Sequence, residues 1–77
     1  MNAKRRKQIE KLSAKLEELM ADLEAIQEEE QECFDNLPEN FQYGEKGDRM
    51  QECIDTMDDV LSGMQDCIDW LNDVTDN

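Results

Sequence analysis

The stretch MQECIDTMDDVLSGMQDCIDWLNDV, residues 50–74, nearly repeats itself at an offset of fourteen residues, two heptads. Met50, Gln51, Cys53, Ile54, Asp55, Asp59 and Val60 recur as Met64, Gln65, Cys67, Ile68, Asp69, Asp73 and Val74. Within it Met50, Ile54, Met57, Leu61, Met64, Ile68 and Leu71 alternate by four and three, the spacing of a helix that buries one face against another helix. Cys53, Val60, Cys67 and Val74, seven apart, flank that stripe and widen it beyond what one partner helix covers. Ser62-Gly63 weakens the middle by about 1 kcal/mol relative to alanine. The heptad phase passes through Gly63 unbroken, so the helix reads as continuous.

Working toward the amino terminus, Ile9, Leu12, Leu16, Leu19, Leu23 and Ile26, then Cys33 and Leu37, carry a second stripe of the same kind, with Glu30 its one interior break. This predicts helix 1 at about 3–36 and helix 2 at about 48–75. The segment NLPENFQYGEKGD between them (36–48) holds Pro38, Gly44 and Gly47 and predicts a turn at about 37–47. LPENFQ fits one extra helical turn opened by Pro38, and Asp48 with Gln51 fits a capping box at the start of helix 2. Two helices of similar length across a short connection form an antiparallel hairpin. The expected fold is therefore all-α: one domain over 1–77, a two-helix hairpin with coiled-coil heptads. Its broad second face calls for a homo-oligomer, a dimeric four-helix bundle before larger helical assemblies. The expected core is Ile9, Leu12, Leu16, Leu19, Leu23, Ile26, Ile54, Met57, Leu61, Met64, Ile68 and Leu71.

The net charge of −13 on 77 residues is unevenly laid out. Residues 1–15 carry six Lys and Arg against Glu10, a balance of +5, and the remainder carries Lys46 and Arg49 against twenty carboxylates. An antiparallel hairpin sets the basic start beside Asp66, Asp69, Asp73 and Asp76, which favours the pairing. The acidic remainder repels nucleic-acid phosphates and anionic membranes, so direct nucleic-acid binding is not expected and basic partners are. No apolar run suits a signal peptide or a membrane span. With an odd count of three cysteines, free thiols in a cytoplasmic setting are the simplest expectation.

The chain has no histidine and no Cys-x-x-Cys, and Cys53 and Cys67 stand about 21 Å apart along a helix, so neither a zinc site nor an intrahelical disulfide is expected. Cys33 and Cys53 could approach near the turn. No run of acids surrounds a glycine as calcium loops require. No base accompanies Ser13, Ser62 or the thiols, and no glycine-rich phosphate loop occurs, so an enzyme is not expected, nor any metal or cofactor.

Two surfaces remain as candidates. Asp55, Asp59, Asp66, Asp69 and Asp73 recur at heptad-like offsets with no later cation, an arrangement that either keeps the helix solvated or mimics nucleic-acid phosphates toward a basic partner. Trp70, where the first repeat has Thr56, sits beside the apolar stripe and suits an oligomer contact or a partner. At the turn, Phe41, Tyr43, Lys46 and Arg49 either cap the bundle end or stack a base and hold a phosphate, a small nucleotide ligand between protomers.

The segment NLPENFQYGEKGDRMQECID, with its repeated MQxCID, resembles small acidic helical-hairpin proteins encoded by phages and conjugative elements of gut bacteria. That resemblance implies a non-enzymatic anti-defence inhibitor acting in the host-cell cytoplasm on a basic host protein. A sponge for a nucleotide immune signal and a structural coiled-coil scaffold are the alternatives.

Overall fold

A computed structural model describes residues 1–76. All regular structure among the described residues is helical: α1 spans Ala3–Asp35, α2 Glu39–Gln42 and α3 Glu45–Asp76. The start of α1 is fixed by Asn2, whose side-chain oxygen accepts from the Arg5 main-chain N–H at 2.9 Å and so satisfies one of the free donors of the first turn. At its other end the Gln42 side-chain nitrogen reaches the carbonyls of Leu37, Phe34 and Asp35 at 3.0, 3.2 and 3.3 Å. Carbonyls at and just past a helix end lack the intrahelical donors of the interior, and Gln42 supplies one donor to three of them, closing α1 from the far side of the turn.

The connection departs from expectation in three details. Pro38 caps α2 rather than opening it. The second long helix begins at Glu45, ahead of residue 48, because the Asp48 N–H is already taken by the Gly44 carbonyl at 3.0 Å. Asp48 and Gln51 therefore lie inside α3, and no capping box forms. Neither Gly44 nor Gly47 adopts a left-handed backbone. Gly47 is required for closeness instead: a Cβ there would lie 2.6 Å from the Phe41 carbonyl oxygen and nearer still to that of Gln42.

After the turn α3 runs back alongside α1 in a body 58 × 15 × 11 Å in extent. The register is marked by Gln27, whose side-chain nitrogen donates to the Ile54 carbonyl at 3.1 Å and to the Asp58 carboxylate. Carried along both helices, this sets Ser13 level with Ile68 and Met20 level with Leu61. Ser13 is buried, and Ile54 and Ile68 are the buried apolar residues, Ile68 being 2% exposed. A small side chain opposite a large one lets the two helices close at that layer.

On α3 the shielded residues Met50, Ile54, Met57, Leu61, Met64, Ile68 and Leu71 follow the stripe expected from the sequence. On α1 the phase differs. The shielded residues are Arg6, Ile9, Ser13, Leu16, Met20, Leu23, Gln27, Glu30 and Phe34, with Gln31 beside them. Ile9, Leu16 and Leu23 belong to both patterns. Leu12, Leu19 and Ile26, expected in the core, stand outside the seam at 52%, 55% and 56% exposure. α1 has more apolar columns than one seam can bury, and α3 takes the column where Ser13 makes room and Gln27 finds two acceptors.

Candidate functional site

The displaced α1 column and the unused α3 column meet. Leu12, Leu19, Ile26 and Cys33 each directly precede a seam residue of α1 (Ser13, Met20, Gln27, Phe34). Cys53, Val60, Cys67 and Val74 directly precede Ile54, Leu61, Ile68 and Thr75 of α3. In helices running opposite ways, the residue one before the seam falls to the same side of both, so these columns share one long edge. With Gln27 level with Ile54, they interleave in the order Val74, Leu12, Cys67, Leu19, Val60, Ile26, Cys53 and Cys33. The edge is apolar for about 40 Å, at roughly 1.5 Å per residue. All three thiols are exposed and free.

Trp70 extends this edge. It lies three residues after Cys67 and four before Val74, one helical turn from each, and is 64% exposed. Its expected place beside the core stripe is thus on the apolar edge, level with Leu12, while Thr56 is exposed in the corresponding position of the first repeat.

The opposite edge is polar throughout: Glu10, Glu17, Glu24 and Gln31 on α1 face Gln51, Asp58, Gln65 and Asn72 on α3. A shallow open cleft of about 220 Å³ there is lined by Gln27, Glu28, Gln31, Ile54 and Asp58. Of the aspartates expected to meet a partner, Asp59, Asp66 and Asp73 form one column seven apart on the outer face, all exposed. Asp55 and Asp69 form a second, and each accepts from the glutamine one turn earlier, Gln51 and Gln65, at 3.0 Å in both repeats. The conspicuous Gln–Asp pairing of the repeat is thus a local amide-to-carboxylate bond, which relieves crowding among acids without using a cation.

At the turn, Tyr43 is 83% exposed and Phe41 and Lys46 are exposed. Arg49 pairs with Glu45 at 2.8 Å, both side chains largely in solvent. Neither the cleft beside Gln27 nor the hollow around Leu12 at the terminal end is lined by any of these four. Among the described residues, no cluster of three or more His, Cys, Asp or Glu side chains could hold a metal ion, and no helix is long and apolar enough to cross a membrane.

Charge divides along the body. Residues 1–17 and 64–76, the terminal half, carry six basic and six acidic side chains; residues 18–63 carry two and fifteen. The whole net charge of −13 therefore resides in the half that contains the turn. At the terminal end Arg6 enters the seam, and its Nε is buried without a hydrogen-bond partner.

Sequence reasoning missed Gln27, Gln42 and Asn2, which fix the register and close α1. Gln27 directly follows the stripe residue Ile26 and so looked like an ordinary surface residue. No protein-family model, curated protein or solved structure matches the chain.

Proposed function

We propose that the chain is a non-catalytic interaction protein: an antiparallel coiled-coil hairpin that joins a second copy through its apolar edge, forming a four-helix bundle, and turns its acidic faces toward a basic partner protein. The observation that carries this reading is the one-sided partition of the surface. One edge holds Leu12, Leu19, Ile26, Val60 and Val74 in the open, and the other edge and outer faces are polar and acidic. Water-exposed leucines and isoleucines continuous over such a length mark an association surface. Exposed carboxylates arrayed along a helix face are suited to electrostatic recognition of a basic surface.

The inhibitor of a basic host protein implied by the mobile-element resemblance is the specific form of this proposal. The nucleotide-sponge alternative, which draws on Arg49, Tyr43 or the basic start, stands second: Arg49 pairs with Glu45 in solvent, while Arg5, Lys11 and Lys15 line an open hollow beside Leu12.

Sedimentation equilibrium of the reduced protein at micromolar concentration tests the assembly. A species of twice the 9.0 kDa chain mass is expected, and a monomer overturns it. Affinity capture from a bacterial host tests the partner. Binding should weaken with salt and fall when Asp59, Asp66 and Asp73 are changed together to asparagine; unchanged binding would reject the acidic face as the contact.

A further inference from the structure

Resting on that dimeric reading, we propose that the two copies join with their turns at opposite ends, α1 on α1 and α3 on α3, so that Cys53 of each copy meets Cys67 of the other. The occupant of the apolar edge is then a second copy of this chain in one defined orientation.

The edge suits its own copy. Its two central columns carry no charge from Val74 to Cys33, with Lys15, Asp22 and Glu29 flanking them on α1, and about 40 Å by the 15 Å breadth of the body gives roughly 600 Å² per copy, at the low end of specific interfaces. Its interleaved order is symmetric about a point between Leu19 and Val60. Leu19 of one copy can therefore lie on Leu19 of the other, Val60 on Val60, and Leu12 on Ile26, as a closed two-fold contact requires.

Two orientations bury this edge equally, with turns together or turns apart. Helix dipoles do not choose between them, because neighbouring helices are antiparallel in both. Charge does. With turns together, two halves of charge −13 face each other. With turns apart, each such half faces a half that is neutral overall and contains Lys4, Arg5, Lys7, Lys11 and Lys15. Packed helices lie about 8–10 Å apart, comparable with the screening length of about 8 Å at physiological salt, so the preference persists in the cell.

The cysteines report the orientation. With turns apart, Cys53 and Cys67 of opposite copies are level across the α3–α3 contact. With turns together, α3 lies on α1 of the other copy, Cys33 is the cysteine nearest Cys53 at about 7–8 Å along the axis, and Cys53 and Cys67 are about 21 Å apart. A disulfide forms only when Cα atoms come within about 7 Å.

The test uses the full chain with single cysteines: Cys33→Ser/Cys67→Ser, which keeps Cys53; Cys33→Ser/Cys53→Ser, which keeps Cys67; and Cys53→Ser/Cys67→Ser, which keeps Cys33. All three thiols are exposed, so these changes spare the seam. Pairs are unfolded together, refolded and oxidised with copper–phenanthroline, one member bearing a mass tag. The expected result is a covalent heterodimer from the Cys53 and Cys67 chains, several-fold above either homodimer. A dominant Cys33–Cys53 product, or equal cross-linking in every pairing, overturns the orientation. Sedimentation of the reduced variants separates the two failures: a monomer rejects the dimer itself, while a dimer with the wrong product rejects only the turns-apart arrangement.

Discussion

Gln27 on α1 donates its side-chain amide to the main-chain carbonyl of Ile54 on α3 over 3.1 Å, and the same nitrogen reaches the Asp58 carboxylate. A polar residue bonded across the seam fixes register better than it adds stability, since a slip leaves the amide without partners. This contact decides which columns of α1 and α3 share an edge, and so what the surface offers to a second copy.

Removing the amide should expose that role. Gln27→Ala is expected to lower stability by about 1–2 kcal/mol, the worth of a part-buried hydrogen bond to a charged group, or roughly 4–16 °C in melting midpoint for a chain of this size. Gln27→Leu should recover the midpoint through apolar burial while losing the register contact. Thermal circular dichroism reads both, and an unchanged midpoint for Gln27→Ala would show that the bond does not hold the helices.

The glycines of α3 make opposite predictions. Gly47→Ala forces a methyl into the Gln42 carbonyl and should cost about 1–3 kcal/mol, the usual cost of overpacking. A Cβ at Gly63 meets nothing within 4 Å, so Gly63→Ala should gain about 1 kcal/mol in helix propensity. Urea denaturation of the two variants side by side checks the pair; equal effects would contradict the close approach of α2 to α3.

The α3 stripe could be read from its sequence because it is apolar at every seam position from Met50 to Leu71, which leaves one phase to choose. The α1 stripe could not. Ile9, Leu16 and Leu23 are common to two heptad phases; Leu12, Leu19 and Ile26 complete one, and Ser13, Met20 and Gln27 the other. Apolarity favours the first, yet the second is buried, because the choice depends on what α3 brings opposite. The register sets buried Ser13 level with buried Ile68, and Gln27 bonds Ile54 and Asp58, relations that no periodicity within α1 encodes. The same displacement hid the continuous apolar edge. The Cys53–Val60–Cys67–Val74 column was visible alone, but its α1 counterpart was assigned to the interior. The start of α3 was obscured for a local reason, the Gly44 carbonyl occupying the N–H that a capping box needs.

Edge and seam should separate under substitution by aspartate. Leu19→Asp places a charge on the apolar edge and is expected to abolish dimers. The melting midpoint should then no longer depend on protein concentration, as mass action makes it for an associating chain. Ile68→Asp buries an unpaired charge at a 2% exposed position and should abolish the helical signal outright at micromolar concentration. Sedimentation with circular dichroism distinguishes these outcomes. A Leu19→Asp protein that remained dimeric would place the association surface elsewhere.

Salt should stabilise this protein rather than weaken it. The turn half holds fifteen carboxylates against Lys46 and Arg49, so repulsion dominates there, whereas the terminal half is balanced. At 10 mM salt the screening length of about 30 Å spans half of the 58 Å body, and at 0.15 M it shrinks to about 8 Å. Repulsion within the turn half is thereby quenched over most of its range, while close contacts such as Arg49–Glu45 lose less. The melting midpoint should rise between 10 mM and 0.5 M sodium chloride. Glu29→Lys with Glu32→Lys, both exposed, should raise the low-salt midpoint and flatten that rise. Lys4→Glu with Lys7→Glu should do the reverse, because it extends the excess of negative charge into the balanced half. A midpoint that falls with salt in the parent chain would show that attraction between the basic start and the α3 aspartates outweighs repulsion at the turn, and would remove the electrostatic ground for setting the turns apart.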